Sequence, residues 1–98
     1  MSKRTVYVLN DGGHDYSGAS EFGEVIVCTE GAIPRNDISQ MFRLLNPHLE
    51  HSKRDDYILI GSLTSLCSVA SAIMAAQHGE VHFLVFANGR YMPKDLML

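Results

Sequence analysis

His14 and Asp15 are adjacent in the segment Asn10-Asp11-Gly12-Gly13-His14-Asp15-Tyr16-Ser17, so an imidazole, a carboxylate and a phenol fall in three consecutive positions. An imidazole titrates near neutral pH, and a carboxylate beside it can orient it for acid–base work. Successive residues of an extended loop point opposite ways, which weakens the two as one catalytic unit. No nucleophile, base and orienting group can be assembled around them from the sequence. The segment reads equally as a glycine turn in which Asp11 and Asp15 bond their own backbone and Tyr16 packs. It also reads as a ligand loop. There Asn10 and Asp11 would face a base or ribose, Gly12 and Gly13 would leave room, His14 would donate, and Tyr16 would offer a stacking face.

A second stretch with chemical potential is Gly61-Ser62-Leu63-Thr64-Ser65, which opens a helical pattern. The first N–H groups of a helix and the positive end of its dipole attract anions, and the hydroxyls of Ser62, Thr64 and Ser65 add donors. The plain alternative is that Ser62 or Thr64 caps the helix. Neither the P-loop lysine nor the GxGxxG fingerprint is present, so ATP hydrolysis and dinucleotide binding have no motif support. Asp11, His14, Asp15 and Glu30 could converge on a metal only if the loop folds back over the next strand, and no metal or cofactor is expected. Cys28 and Cys67 lie in apolar stretches without zinc or disulfide spacing and read as buried thiols. His48 and His51 read as solvated, His82 as a hydrogen-bonded core residue, and residues 53–56 (Lys-Arg-Asp-Asp) as a solvated turn.

The elements that would position these residues are legible in the apolar pattern. Residues 5–9 and 24–30 read as strands β1 and β2. Residues 56–61 and 80–87 are continuous apolar runs, as in strands covered on both faces, and read as β3 and β4. Ile38, Met41, Phe42, Leu45 and Leu49 recur at helical spacing and predict a first helix over 34–50. Pro34 suits its first turn, with polar start chemistry at 35–37, and Pro47 should kink it or end it near Leu45. A second helix is predicted over 64–78, with Gly79 in the left-handed position beyond it. Residues 17–23 have room for a single helical turn between β1 and β2. Asn88-Gly89 is a turn signal, so the tail beyond it reads as an edge strand or a packing arm.

Strand–helix alternation implies parallel βαβ units with right-handed crossovers. The expected architecture is one α/β domain over residues 1–98: a small three-layer, Rossmann-like or flavodoxin-like fold. Its sheet would be four-stranded and mainly parallel, in the order 2-1-3-4, with helices on both faces. An antiparallel β1–β2 pair is the alternative. In open parallel sheets ligands bind beyond the strand carboxyl ends where the strand order reverses, here between β1 and β3. Both chemistry-bearing stretches leave strands at that point.

At 98 residues the chain has room for one core, about 65% of its unfolded surface being buried on folding. Hydrophobic residues at 46% and charged residues at 19% are ordinary for a globular domain. A net charge of −3, with no basic run beyond Lys3-Arg4 and Lys53-Arg54, argues against nucleic acid as a partner. No signal-type or membrane-length apolar segment is present, so the expected setting is cytoplasmic and no membrane partner is expected. So few elements make a marginal core, and a homo-oligomer is expected. The alanines of the second helix (Ala70, Ala72, Ala75, Ala76) and tail residues Met92, Leu96, Met97 and Leu98 are the candidate surface.

Taken together, residues 10–24 (Asn-Asp-Gly-Gly-His-Asp-Tyr-Ser through Phe22-Gly23-Glu24), 29–45, 55–62 and 78–93 resemble a group of small, mostly phage-encoded proteins of unknown function. The His14-Asp15-Tyr16-Ser17 stretch followed by Phe22-Gly23-Glu24 is the most specific part. The resemblance implies a viral or mobile-element origin. Small phage proteins of this size are often virion parts, inhibitors of host enzymes or sponges for host signalling nucleotides. The leading expectation is a protein that binds a phosphate-bearing small molecule, plausibly a nucleotide, without turnover. Its ligand residues would be Asn10, Asp11, Gly12, Gly13, His14, Tyr16, Ser62, Thr64 and Ser65. A protein-interaction module is the first alternative and a small hydrolase using His14 and Asp15 the second.

Overall fold

The structure is a computed structural model, and it describes residues 4–13, 15–34, 36–61 and 63–98. The elements run β1 (Thr5–Val8), a 3₁₀ turn (Ser17–Glu21), β2 (Glu24–Val27), α1 (Ile38–Leu49), β3 (Tyr57–Ile60), α2 (Thr64–His78), β4 (Glu80–Ala87) and β5 (Arg90–Met97). They form one sheet in the order β2-β1-β3-β4-β5. β1 pairs in parallel with both β2 and β3, and β3 pairs in parallel with β4. The antiparallel alternative for β1 and β2 is therefore excluded.

Two architectural expectations need correcting. The sheet is five-stranded and mixed, because the tail forms β5, antiparallel to β4 from Ala87↔Arg90 to Glu80↔Met97. Asn88 (φ 53°) and Gly89 (φ 80°) supply the two left-handed residues of a tight hairpin turn, which drives the tail back along β4. The layers are also unequal. α1 and α2 pack together on one face with Tyr7, Leu9, Ile58 and Val81, while the other face (Val6, Val8, Tyr57, Leu59, Leu84) receives, among the described residues, only the 3₁₀ turn through Ala19 and partly buried side chains such as Phe22 and Tyr91. The β1–β2 connection is too short to hold more than that turn.

The first helix differs from expectation at both ends. It starts at Ile38, where the Asp37 side chain accepts the Gln40 N–H at 3.0 Å, so Pro34 precedes it. It continues through Pro47 to Leu49. A proline in the last turn removes one backbone hydrogen bond, whereas ending the helix at Leu45 would expose Leu49, which is fully buried. α2 occupies the predicted span, and Gly79 (φ 75°) closes it with its N–H on Ala75 O at 2.9 Å. Its N-cap is Leu63 and not Thr64, and no side chain among the described residues caps it; Ser62 lies outside those residues. The Gln77 side chain donates to Leu49 O at 3.0 Å and ties the ends of the two helices together.

The turn before β3 is not wholly solvated. Asp56 is buried, and its carboxylate accepts the N–H groups of Thr5 and Lys53, each at 2.8 Å. It thereby fixes the start of β1 against the entry to β3. His82 is hydrogen-bonded, as expected, between Asp95 (Nδ1 to Oδ1, 2.6 Å) and Glu80 (Nε2 to Oε2, 2.8 Å). Among the described residues no helix is long and apolar enough to cross a membrane.

Candidate functional site

β1 sends its connection one way along the sheet and β3 the other, so the strand order reverses between them. The loops leaving β1, β2 and β3 meet at this end. Asp11 and Glu30 form an isolated parallel bridge that extends the β1–β2 ladder, with the Asp11 N–H on Thr29 O at 2.9 Å. The Asn10 side chain donates to Gly31 O at 3.2 Å, which joins the two loops.

The loop after β1 is held largely by its own polar groups. Asp11 Oδ1 accepts the Gly13 N–H at 2.9 Å, and Gly13 takes φ +81°. Asp15 Oδ1 accepts the Ser17 N–H at 2.9 Å, which starts the 3₁₀ turn. The Tyr16 hydroxyl accepts the Gly12 N–H at 3.2 Å. These are the bonds of a self-supporting turn. Hydrogen bonds from the Ser17 backbone and side chain hold the exposed Asp15 carboxyl below its ordinary value, so it is anionic at neutral pH. His14 lies outside the described residues, so its pairing with Asp15 does too.

Two depressions flank this end of the sheet. The first, about 480 Å³, lies at the switch point and is lined by Asn10, Asp11, Gly12, Gly31, Ala32, Ile33 and Leu63. Leu63 is the N-cap of α2, so the start of that helix lies beside it. Asn10 Oδ1 is a buried acceptor without a partner among the described residues. The second, about 290 Å³, lies beyond the carboxyl ends of β3 and β4 and is lined by Asp15, Tyr16, Leu59, Ile60, Gly61, Phe86 and Tyr91. The two share no lining residue, although both border the loop after β1.

The predicted ligand residues are thus divided. Asn10, Asp11 and Gly12 line the switch-point depression, and Tyr16 lines the other. Gly13 serves the turn and lines neither. Thr64 and Ser65 form the first turn of α2 behind Leu63. Phe86 and Tyr91 were missed by sequence reasoning, yet a signal for them exists. A two-residue turn at Asn88-Gly89 pairs the residues equidistant from it, and Phe86↔Tyr91 is such a pair.

Burial pushes the Cys28 thiol up to about 12, so it stays protonated at neutral pH. No three His, Cys, Asp or Glu residues are grouped to hold a metal ion among those described. A family model described as Phage Pam3 gp32-like protein matches residues 4–97. No curated protein and no solved structure matches the chain.

Proposed function

The chain belongs to the Phage Pam3 gp32-like protein family, and from that premise we propose that it binds a small phosphate-bearing ligand, most simply a nucleotide, without turning it over. The observation that carries this reading is the depression at the switch point with the α2 N-cap in its wall. The N–H groups of the first turn, at Thr64 and Ser65, would hold the phosphate. The exposed Asp11 carboxylate would accept from ribose hydroxyls or from the edge of a base. In this reading the four parallel strands are a small Rossmann-like core, used as such cores use their switch point.

The electrostatics narrow the ligand. No lysine or arginine lines the depression among the described residues, and Asp11 stands exposed in it. Backbone dipoles alone neutralise little charge, so a monophosphate or a phosphodiester fits better than a triphosphate. In an infected host such a protein would act in the cytoplasm as a sponge for a signalling nucleotide. A homodimer bringing two such loops near its axis would enclose a symmetric ligand.

Native mass spectrometry of freshly purified protein, with calorimetry against a nucleotide panel, tests the proposal. A nucleoside monophosphate or cyclic dinucleotide should give heat at millimolar concentration or below, and the unphosphorylated nucleoside much less. Thr64→Glu should abolish the heat by placing an anion at the helix start. A clean apo mass and no heat with any nucleotide would sink the proposal. The interaction module would then be the better reading, and its surface would be the exposed Ile38 and Phe42 of α1 or the exposed Leu96 and Met97 of β5.

A further inference from the structure

The depression beyond β3 and β4 has different chemistry from the one at the switch point. Its walls are aromatic: Tyr16 from the loop after β1, Phe86 from β4 and Tyr91 from β5. The Phe86 and Tyr91 rings meet edge to face, with centroids 5.0 Å apart and planes at 68°. Tyr91 packs against the buried cluster on this face of the sheet that contains Ala19 and Leu59. Tyr16 is braced through its hydroxyl, which accepts from Gly12. Leu59, Ile60 and Gly61 form the floor.

Asp15 is the only charged residue lining this cleft among those described. The hydrogen bonds from Ser17 that hold its carboxyl low leave it anionic. Burial, and then the charges of Tyr16 and Asp15 in the same lining, push the Tyr91 hydroxyl up. Arg90 lines the adjoining hollow, together with Asp15, Glu21, Phe86 and Tyr91. Aromatic faces are electron-rich, and with a carboxylate beside them they favour positive charge. Mutually tilted rings make the walls of a cage, whereas a flat heterocycle prefers parallel faces on which to stack.

We propose that the cleft formed by Tyr16, Phe86, Tyr91 and Asp15 is a binding site for a small organic cation, an alkylammonium or trimethylammonium head group. The head group sits among the three rings, and the Asp15 carboxylate supplies the counter-charge. About 290 Å³ leaves ample room for such a group and for the chain that carries it. The site is independent of the phosphate site: it uses different residues and the opposite sign of charge.

The test is a chemical-shift titration of the intact protein with choline, and in parallel with its neutral carbon analogue, dimethylbutanol. Choline should shift the ring resonances of Tyr16, Phe86 and Tyr91 and bind about tenfold more tightly than the neutral analogue. Asp15→Asn, on the surface and nearly isosteric, should erase most of that difference. Tyr91→Leu should weaken choline binding, and the amide spectrum shows whether that variant is folded. Thr64→Glu should leave choline binding unchanged, which separates this site from the helix start. Equal affinity for the two probes, or choline binding indifferent to Asp15→Asn, would overturn the proposal. So would shifts confined to residues outside the cleft.

Discussion

Asp56 shows how one polar residue can outweigh the apolar ones around it. It is the one buried charged side chain among the described residues, and both carboxylate oxygens accept backbone N–H groups, from Thr5 and from Lys53. Without it, two donors at the root of the sheet lose their partner in a place water reaches poorly. Each such loss costs about 1–3 kcal/mol, so Asp56→Ala should lower the unfolding free energy by about 3 kcal/mol. Urea denaturation of the variant checks this, and a loss under about 1 kcal/mol would mean that the loop re-forms around water. Gly23 is a second single-residue constraint. A Cβ there would stand 2.3 Å from Arg4 O, the atom that accepts the Glu24 N–H that opens the β1–β2 ladder. Gly23→Ala should therefore push β2 off β1 and lower stability by about 1–3 kcal/mol, to be read as an earlier thermal midpoint.

At the scale of elements, the β4–β5 hairpin determines both the cleft and the edge of the sheet. The pair closing a two-residue turn is hydrogen-bonded, so Phe86↔Tyr91, Leu84↔Pro93 and His82↔Asp95 fall at the non-hydrogen-bonded positions, where side chains approach most closely. That places Tyr91 on Phe86 and Asp95 on His82. It also turns the nitrogen of Pro93 to the free edge, so the proline costs the ladder nothing and blunts the edge against another strand. The Glu80–His82–Asp95 contacts clasp the far end of the hairpin. Burial by itself lowers the His82 pKa, but hydrogen bonds and charge from Asp95 and Glu80 more than offset this and hold it above the ordinary value. A raised folded-state pKa means stabilisation that is fully present below about pH 6.5 and lost as pH rises through the folded value. The stability advantage of the parent over His82→Asn should therefore be greatest near about pH 6 and shrink steadily on the alkaline side. An NMR titration placing His82 at or below the ordinary imidazole value would contradict the clasp.

For the molecule as a whole, a Cα radius of gyration of 12.5 Å matches a single body of this length. One face of its sheet is covered by two helices and the other only by a 3₁₀ turn and a few side chains, while Phe86, Leu96, Met97 and Leu98 stay exposed. A small core with so much apolar surface outside it favours self-association. Because Pro93 blunts the edge of β5, copies should meet through side-chain faces and not by continuing the sheet. Sedimentation at tens of micromolar should show a dimer or a higher species, and Leu96→Lys with Met97→Lys should return it to monomer. A parent that sediments as a monomer under those conditions removes both the dimer and the idea of a symmetric ligand held between copies.

What the sequence determined by itself is what short-range pattern can encode. Continuous apolar runs and the connections between them gave the order of the four parallel strands, the spacing from Thr64 to Gly79 marked α2 to the residue, and Asn88-Gly89 marked the turn. Those signals are local because periodicity, caps and left-handed turn residues act within a few positions of the chain. Tertiary structure alone decided the rest. Pro47 stays within α1 because Leu49 has a core to enter, and Asp56 is buried because β1 comes to meet it. For the candidate site the sequence pointed only to a place, the carboxyl ends of β1 and β3. Its division into a switch-point depression and an aromatic cleft depends on which face of the sheet each side chain takes. The cleft joins Tyr16 to Phe86 and Tyr91 across some seventy positions, and such contacts exist only once the sheet has assembled.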